Sequence, residues 1–215
     1  MESARLPGKV LKELLPNRSM LSLMLERISR SKLSNKIIVA TSDKNINNAI
    51  IEEAKRSGCE AFLGSENDVL GRFLGAAKKF KSDIIVRLCA DSPLHDVTII
   101  DNCIQRFLDK YSQVDFVCNL LPPTFPYGTA VEVFSIDVLM RLDRLTLDPA
   151  MREHVTPYVH RYQNLFKIEN VMHDENLSSL RWAVDTASDF EFAKSIYAKL
   201  YDKNPAFSWL DVCRA

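Results

Sequence analysis

Apolar residues recur along this chain with two different periods. Met20, Leu23, Met24 and Ile28 fall at helical spacing, and the pattern predicts a helix over Met20–Ser31. Asn47–Ser57 reads the same way and stops at Gly58, as does Asp68–Phe80, with Val69, Phe73, Ala76 and Phe80 on one face. Further helices are predicted over Val97–Lys110, Ile136–Leu145, Met151–Tyr162 (broken near Pro157) and Thr186–Tyr201, the last opening on a capping-box sequence. Between them lie short β-branched or alternating runs. Ile37–Ala40, Glu60–Leu63, Ile84–Leu88, Asp115–Asn119, Thr129–Phe134, Lys167–Val171 and Arg181–Val184 are read as strands.

Strand and helix alternate through the first half. That order predicts an α/β fold with a mainly parallel sheet and helices on both faces. Such sheets bind ligands beyond the carboxyl ends of their strands, so the loops after Ala40, Leu88 and Val184 are where chemistry is sought. No repeat, low-complexity tract or linker divides the chain, and a single domain over 1–215 is expected.

Composition narrows the function. Lys+Arg and Asp+Glu are both 28, and this balance argues against a general nucleic-acid binder. The longest apolar runs fall short of a bilayer span, so no membrane insertion is expected. Five cysteines without a C-x-x-C pair read as reduced thiols in a cytoplasmic protein. Neither G-x-G-x-x-G nor a hydrolase signature occurs.

Several short segments carry candidate chemistry. Arg5-Leu6-Pro7-Gly8-Lys9 sets two cations around a Pro-Gly turn, suited to a triphosphate and equally to a solvated basic turn. Asp91 and Asp185 each follow a predicted strand and precede a helix. Each reads as a helix cap or as a carboxylate ligand for Mg²⁺, which takes one or two carboxylates plus substrate phosphates. Glu132 lies inside an apolar strand and needs a partner, either sugar hydroxyls or an arginine. Arg152-Glu153-His154 offers a polar surface for a sugar or an ordinary helix face. His154 and His160, six apart, do not suit two metal ligands on one helical face.

The ordered set resembles the cytidylyltransferases, and most of all the spore-coat polysaccharide type, relatives of the CMP-Kdo and CMP-acylneuraminate synthetases. The carrying segments are Arg5–Lys9, Gly64–Phe73, Val86–Leu94, Arg152–Tyr158 and Leu180–Thr186. The resemblance implies a three-layer α/β/α sandwich of the nucleotide-diphospho-sugar transferase type. It implies transfer of CMP from CTP to a sugar with release of pyrophosphate, for surface polysaccharide or glycan biosynthesis. It assigns Ser3, Arg5 and Lys9 to the triphosphate, Asp91 and Asp185 to Mg²⁺, and Thr41, Ser42 and Arg72 to the nucleotide. Glu132, Arg152, Glu153 and His154 fall on the sugar side.

Relatives of this kind are often dimers, which makes a homodimer an expectation. Family members begin with a strand that enters the basic loop, whereas here the basic loop opens the sequence. The start is therefore misplaced, the chain shortened at its N-terminus, or the strand lost. Two other readings stay open: a glycosyltransferase on a related fold, although Asp91-Ser92-Pro93 lacks the second aspartate of an Asp-x-Asp motif, and a non-catalytic remnant acting by protein contact.

Overall fold

A computed structural model describes residues 6–43 and 47–215. Its strands are β1 (Glu13–Leu15), β2 (Arg18–Ser19), β3 (Ile38–Ser42), β4 (Glu60–Gly64), β5 (Ile84–Arg87), β6 (Phe116–Cys118), β7 (Glu132–Ser135) and β8 (Ile168–Asn170). Its helices are α1 (Met20–Ile28), α2 (Asn48–Arg56), α3 (Val69–Phe80), α4 (Val97–Asp109), α5 (Ile136–Leu145), α6 (Pro149–His154), α7 (Pro157–Arg161), α8 (Ala187–Leu200) and α9 (Trp209–Arg214).

Side chains cap most of the long helices. Ser19, Asp68, Asp96 and Ser135 each accept a backbone N–H at the start of α1, α3, α4 and α5. Thr186 and Asp189 form the expected capping box of α8. Pro157 splits the predicted Met151–Tyr162 helix into α6 and α7, because proline has no N–H to continue the ladder.

The strands alternate, and this alternation makes the layers. Val117 and Val133 face α4 together with Ile100, Cys103 and Phe107, in a cluster that also takes in α1 and α8. Their neighbours Phe116, Cys118 and Phe134 face the opposite side, against Leu70 and Leu74 of α3 and Leu139 and Leu142 of α5. With both faces covered, β6 is buried at every position and β7 at every position but Ser135. Each fully buried Leu or Phe there contributes about 2 kcal/mol relative to exposure.

The sheet departs from the parallel expectation. β3–β4 and β6–β8 are parallel, but β7 runs antiparallel to both β5 and β6, so the β5-β7-β6-β8 sheet is mixed. Arg181–Val184 is not a strand; Arg181 makes only an isolated bridge to Tyr127. Among the described residues β3 and β5 each pair with one neighbour, β4 and β7 respectively.

Candidate active site

Two loops bring the aspartates together. Asp91 lies in the loop from β5 to α4, and Asp185 ends the extended segment that enters α8. The Val184 N–H donates to the Asp91 carbonyl at 2.8 Å, which stitches the loops side by side. The α8 capping box reaches back one residue further, because Asp189 Oδ2 accepts the N–H of Asp185 at 2.9 Å as well as that of Thr186 at 2.8 Å. Tyr127 exchanges backbone hydrogen bonds with Leu180 and Trp182, and Gly128 follows at φ 106°. A Cβ at Gly128 would stand 2.5 Å from the Ala183 nitrogen, so only glycine lets this segment lie flat along the strip that delivers Asp185.

Lys9 closes the group. Gly8 takes a left-handed conformation, φ 68°, and turns the chain into a short 3₁₀ turn, Lys9–Leu11. The Lys9 ammonium donates to the Val184 carbonyl at 2.6 Å and to Asp185 Oδ1 at 3.2 Å, and lies 3.6 Å from Asp91 Oδ2. The two carboxylate oxygens can be no further apart than those last two distances laid end to end. Sequence analysis placed these three residues in one site, and the geometry brings them together. Arg5 and Ser3, assigned to the same triphosphate cradle, lie outside the described residues.

The donor set suits a hard cation. Both aspartates offer carboxylate oxygen, and among the described residues no cluster of three His, Cys, Asp or Glu side chains forms. Magnesium is commonly held by one or two carboxylates, with water and phosphate completing its shell. Burial raises the pKa of the nearby Cys89 thiol, which favours its protonated form.

Thr41, Ser42 and Arg72 form a second group, at the carboxyl ends of β3 and β4. Thr41 and Ser42 are the last two residues of β3, and Ser42 Oγ accepts from Asn47 at 2.5 Å. Arg72 on α3 donates to the Ser65 carbonyl at 2.9 Å, while its buried Nε has no hydrogen-bond partner.

On the sugar side, two of the assigned residues are engaged within the fold. Arg152 spends its guanidinium on the fold: it grips both oxygens of Asp68 at 2.9 Å and also bonds Asp143 and the Thr146 carbonyl. Each guanidinium nitrogen of Arg152 thus has a partner within the fold. Glu132 is 1% exposed, and both of its oxygens are taken by Arg87, Thr156 and His160 at 2.5–3.0 Å. Burial would raise this carboxyl, but the His160 hydrogen bond and the Arg87 charge outweigh it and hold it below its ordinary value. Arginine, one of the two partners open to Glu132, is present as Arg87.

Glu153 is exposed, while His154 lines a cavity of about 650 Å³ together with Arg87, Met151, Thr156, His160 and Arg161. Arg87 and Arg161 were not singled out from the sequence, and His160 was weighed there only as a metal ligand. One signal was there to use for Arg87, a lone charge in the apolar run of β5, just as Glu132 is in β7. The two are register partners.

Residues 1–203 match the family model for cytidylyltransferases. The chain belongs to the cytidylyltransferase family. It is 32% identical to the spore coat polysaccharide biosynthesis protein SpsF of Bacillus subtilis over 206 residues, covering 93% of this chain and 83% of that one. A solved cytidylyltransferase from Leptospira borgpetersenii superposes with a TM-score of 0.95 at 36% identity, over 100% of this chain and 89% of the other. A CMP:2-keto-3-deoxy-manno-octonic acid synthetase solved with CTP shares the fold at a TM-score of 0.67 and 17% identity, over 91% and 94% of the two chains. The nucleotide-diphospho-sugar transferase fold expected from the sequence is thus the fold observed.

Proposed function

We propose that this cytidylyltransferase transfers CMP from CTP to a sugar hydroxyl and releases pyrophosphate, in the synthesis of a surface polysaccharide or glycan. The observation that carries the reading is the meeting of Lys9, Asp91 and Asp185 at the carboxyl end of the sheet. Cytidine and the sugar acceptor rest on family membership, on the SpsF relative, and on the CTP bound by the structural neighbour.

In this reading a sugar hydroxyl gives up its proton to solvent and attacks the α-phosphorus of CTP. The bond from that phosphorus to the bridging oxygen breaks, and the electron pair leaves with pyrophosphate. Lys9, with Arg5, holds the triphosphate and stabilises the negative charge that grows on the leaving group. Asp91 and Asp185 are the residues that would hold Mg²⁺. When bound, Mg²⁺ supplies charge neutralisation at the phosphates and lowers the pKa of the attacking hydroxyl.

The acceptor lies in the cavity beside Arg87, His154 and His160. Glu132 fixes Arg87 and His160 rather than touching the sugar. Arg87 is four residues before Asp91 on the same strand-and-loop segment, so one stretch of chain links this cavity to the aspartate pair.

The deciding assay is pyrophosphate release, run with each of the four nucleoside triphosphates against a panel of free sugars. Release with CTP and a particular sugar, together with a CMP-sugar in the product, is the expected result. Nucleoside diphosphate release from a nucleotide-sugar donor instead would transfer the assignment to glycosyl transfer.

A further inference from the structure

Asp185 carries a positive group on each oxygen. The Lys9 ammonium stands 3.2 Å from Oδ1, and the Arg181 guanidinium donates to Oδ2 at 2.5 Å. Lys9 also reaches toward Asp91 Oδ2 at 3.6 Å, while Asp91 Oδ1 accepts the Ser92 hydroxyl at 3.0 Å. Arg181 is steadied from two further sides. Its Nε lies 3.6 Å from Asp189, and its guanidinium rests 4.8 Å from the centre of the Tyr127 ring. Lys9 and Asp185 are largely shielded, with side chains 13% and 18% exposed, so salt screens their attraction less than on an open surface.

A divalent ion needs these same carboxylate oxygens. Arriving by itself, it must push aside an ammonium and a guanidinium or bind beside them, and like charges a few ångströms apart oppose both. Arriving with nucleotide phosphate, it meets a different balance. Phosphate oxygens offer Lys9 and Arg181 new partners, and the carboxylates are released to the metal.

We infer that Lys9 and Arg181 are resident counter-cations of the Asp91–Asp185 pair, which keep a bare divalent ion weakly bound until nucleotide draws them away. Only the identity of the phosphate donor rests on the nucleotidyl-transfer reading; the competition between the protein's own cations and the metal does not. Arg181 is then a positioning residue that acts through Asp185. Metal and nucleotide tighten one another by a common factor, as linkage between two sites requires.

The probe is Mn²⁺ alone, titrated into the nucleotide-free full chain and followed by electron paramagnetic resonance. Lys9→Met and Arg181→Met should each tighten Mn²⁺ by about tenfold or more, since each removes a repelling charge. Lys9→Arg and Arg181→Lys, which keep the charge, should stay near the weak wild-type affinity. Asp185→Asn added to Lys9→Met should abolish the gain and so fix the ion at this pair. Unchanged or weaker Mn²⁺ binding in both charge-removing variants, with an intact circular dichroism spectrum, overturns the inference. Arg181 is 44% exposed on its side chain, so its variant keeps the test open even if Lys9→Met fails to fold. Failure of the pyrophosphate assay would remove the proposed reaction and leave this result standing.

Discussion

Arg87 and Glu132 face each other in register across β5 and β7, and their side chains pair at 2.5 Å inside the sheet. The carboxylate is 2% exposed and the arginine 17%, so this ion pair is held away from bulk water. Removing one member leaves a buried charge with fewer partners, which typically costs 3–5 kcal/mol. Arg87→Met is therefore expected to lower stability by about 3 kcal/mol in urea unfolding. The double variant Arg87→Met/Glu132→Leu should recover a good part of that loss, because an apolar pair replaces the ionic one. A double variant no more stable than the single would show that Thr156 and His160, not the ion pair, carry the energy.

Glu132 also sets an acid limit. Its carboxyl is held below the ordinary 4.5 in the fold, so its ionised form stabilises the protein above that pH. The stabilisation disappears as pH falls below 4.5 through the lower folded value, where the unfolded chain binds the proton first. Chemical denaturation between pH 3 and pH 6 reads this directly. In Glu132→Gln the fall attributable to this carboxyl should be absent.

His95 acts over a higher window. It is 1% exposed, and its ring faces the Cys89 backbone outside full hydrogen-bond geometry. Burial pushes its pKa from 6.5 down to about 4. The unfolded chain therefore takes up a proton that the folded chain refuses, and stability falls as pH drops from 6.5 towards 4. At about 1.4 kcal/mol per pKa unit the loss reaches roughly 3 kcal/mol. His95→Leu removes a buried ring without partners and should flatten this stretch of the stability curve. A slope unchanged by the substitution would assign it to another group.

Most helices were legible because their signals are local. Ile136–Leu145 matches α5 from end to end, since Ser135 caps it and its apolar period continues to the last turn. The strands were legible as short apolar runs, but their direction was not. β7 reads like a parallel strand because both of its faces are covered, and burial leaves the same pattern whichever way a strand runs. The β1–β2 hairpin and α9 were missed, as elements of two, three and six residues leave little periodicity to read. Lys9, Asp91 and Asp185, which lie side by side, were singled out because each sits at a turn where a charge is conspicuous, and the resemblance grouped them. Arg181 was read as part of a strand, and its grip on Asp185 depends on the backbone path beside Tyr127 that no local pattern shows.

Arg152 separates structural from functional readings of the sugar side. It holds the start of α3 to the end of α5 through Asp68 and Asp143, and the Asp68 carboxyl is lowered first of all by its hydrogen bond to Arg152. The acidic partners are about a third exposed, so solvent weakens the pairing. Arg152→Ala is expected to cost roughly 1–2 kcal/mol of stability while the acceptor KM stays within a factor of about two. A large rise in acceptor KM with unchanged stability would return Arg152 to the sugar site.

Asp91→Asn tests the proposed chemistry itself. The substitution keeps the side chain's size and leaves the backbone bond from Val184 to the Asp91 carbonyl in place, so the loop should hold its shape. The fold is expected to change little, because the Asp91 side chain is 35% exposed and its contact with Lys9 is long, at 3.6 Å. Turnover is a different matter, since removing one group that stabilises transition-state charge costs on the order of 10²–10³ in rate. The expected outcome is a loss of that size in pyrophosphate release from CTP at saturating Mg²⁺, with the melting temperature near that of the parent chain. Near-normal turnover would remove Asp91 from the reaction and leave it a helix-approach residue. A loss confined to sub-saturating Mg²⁺ would limit the role of Asp91 to the affinity for the ion.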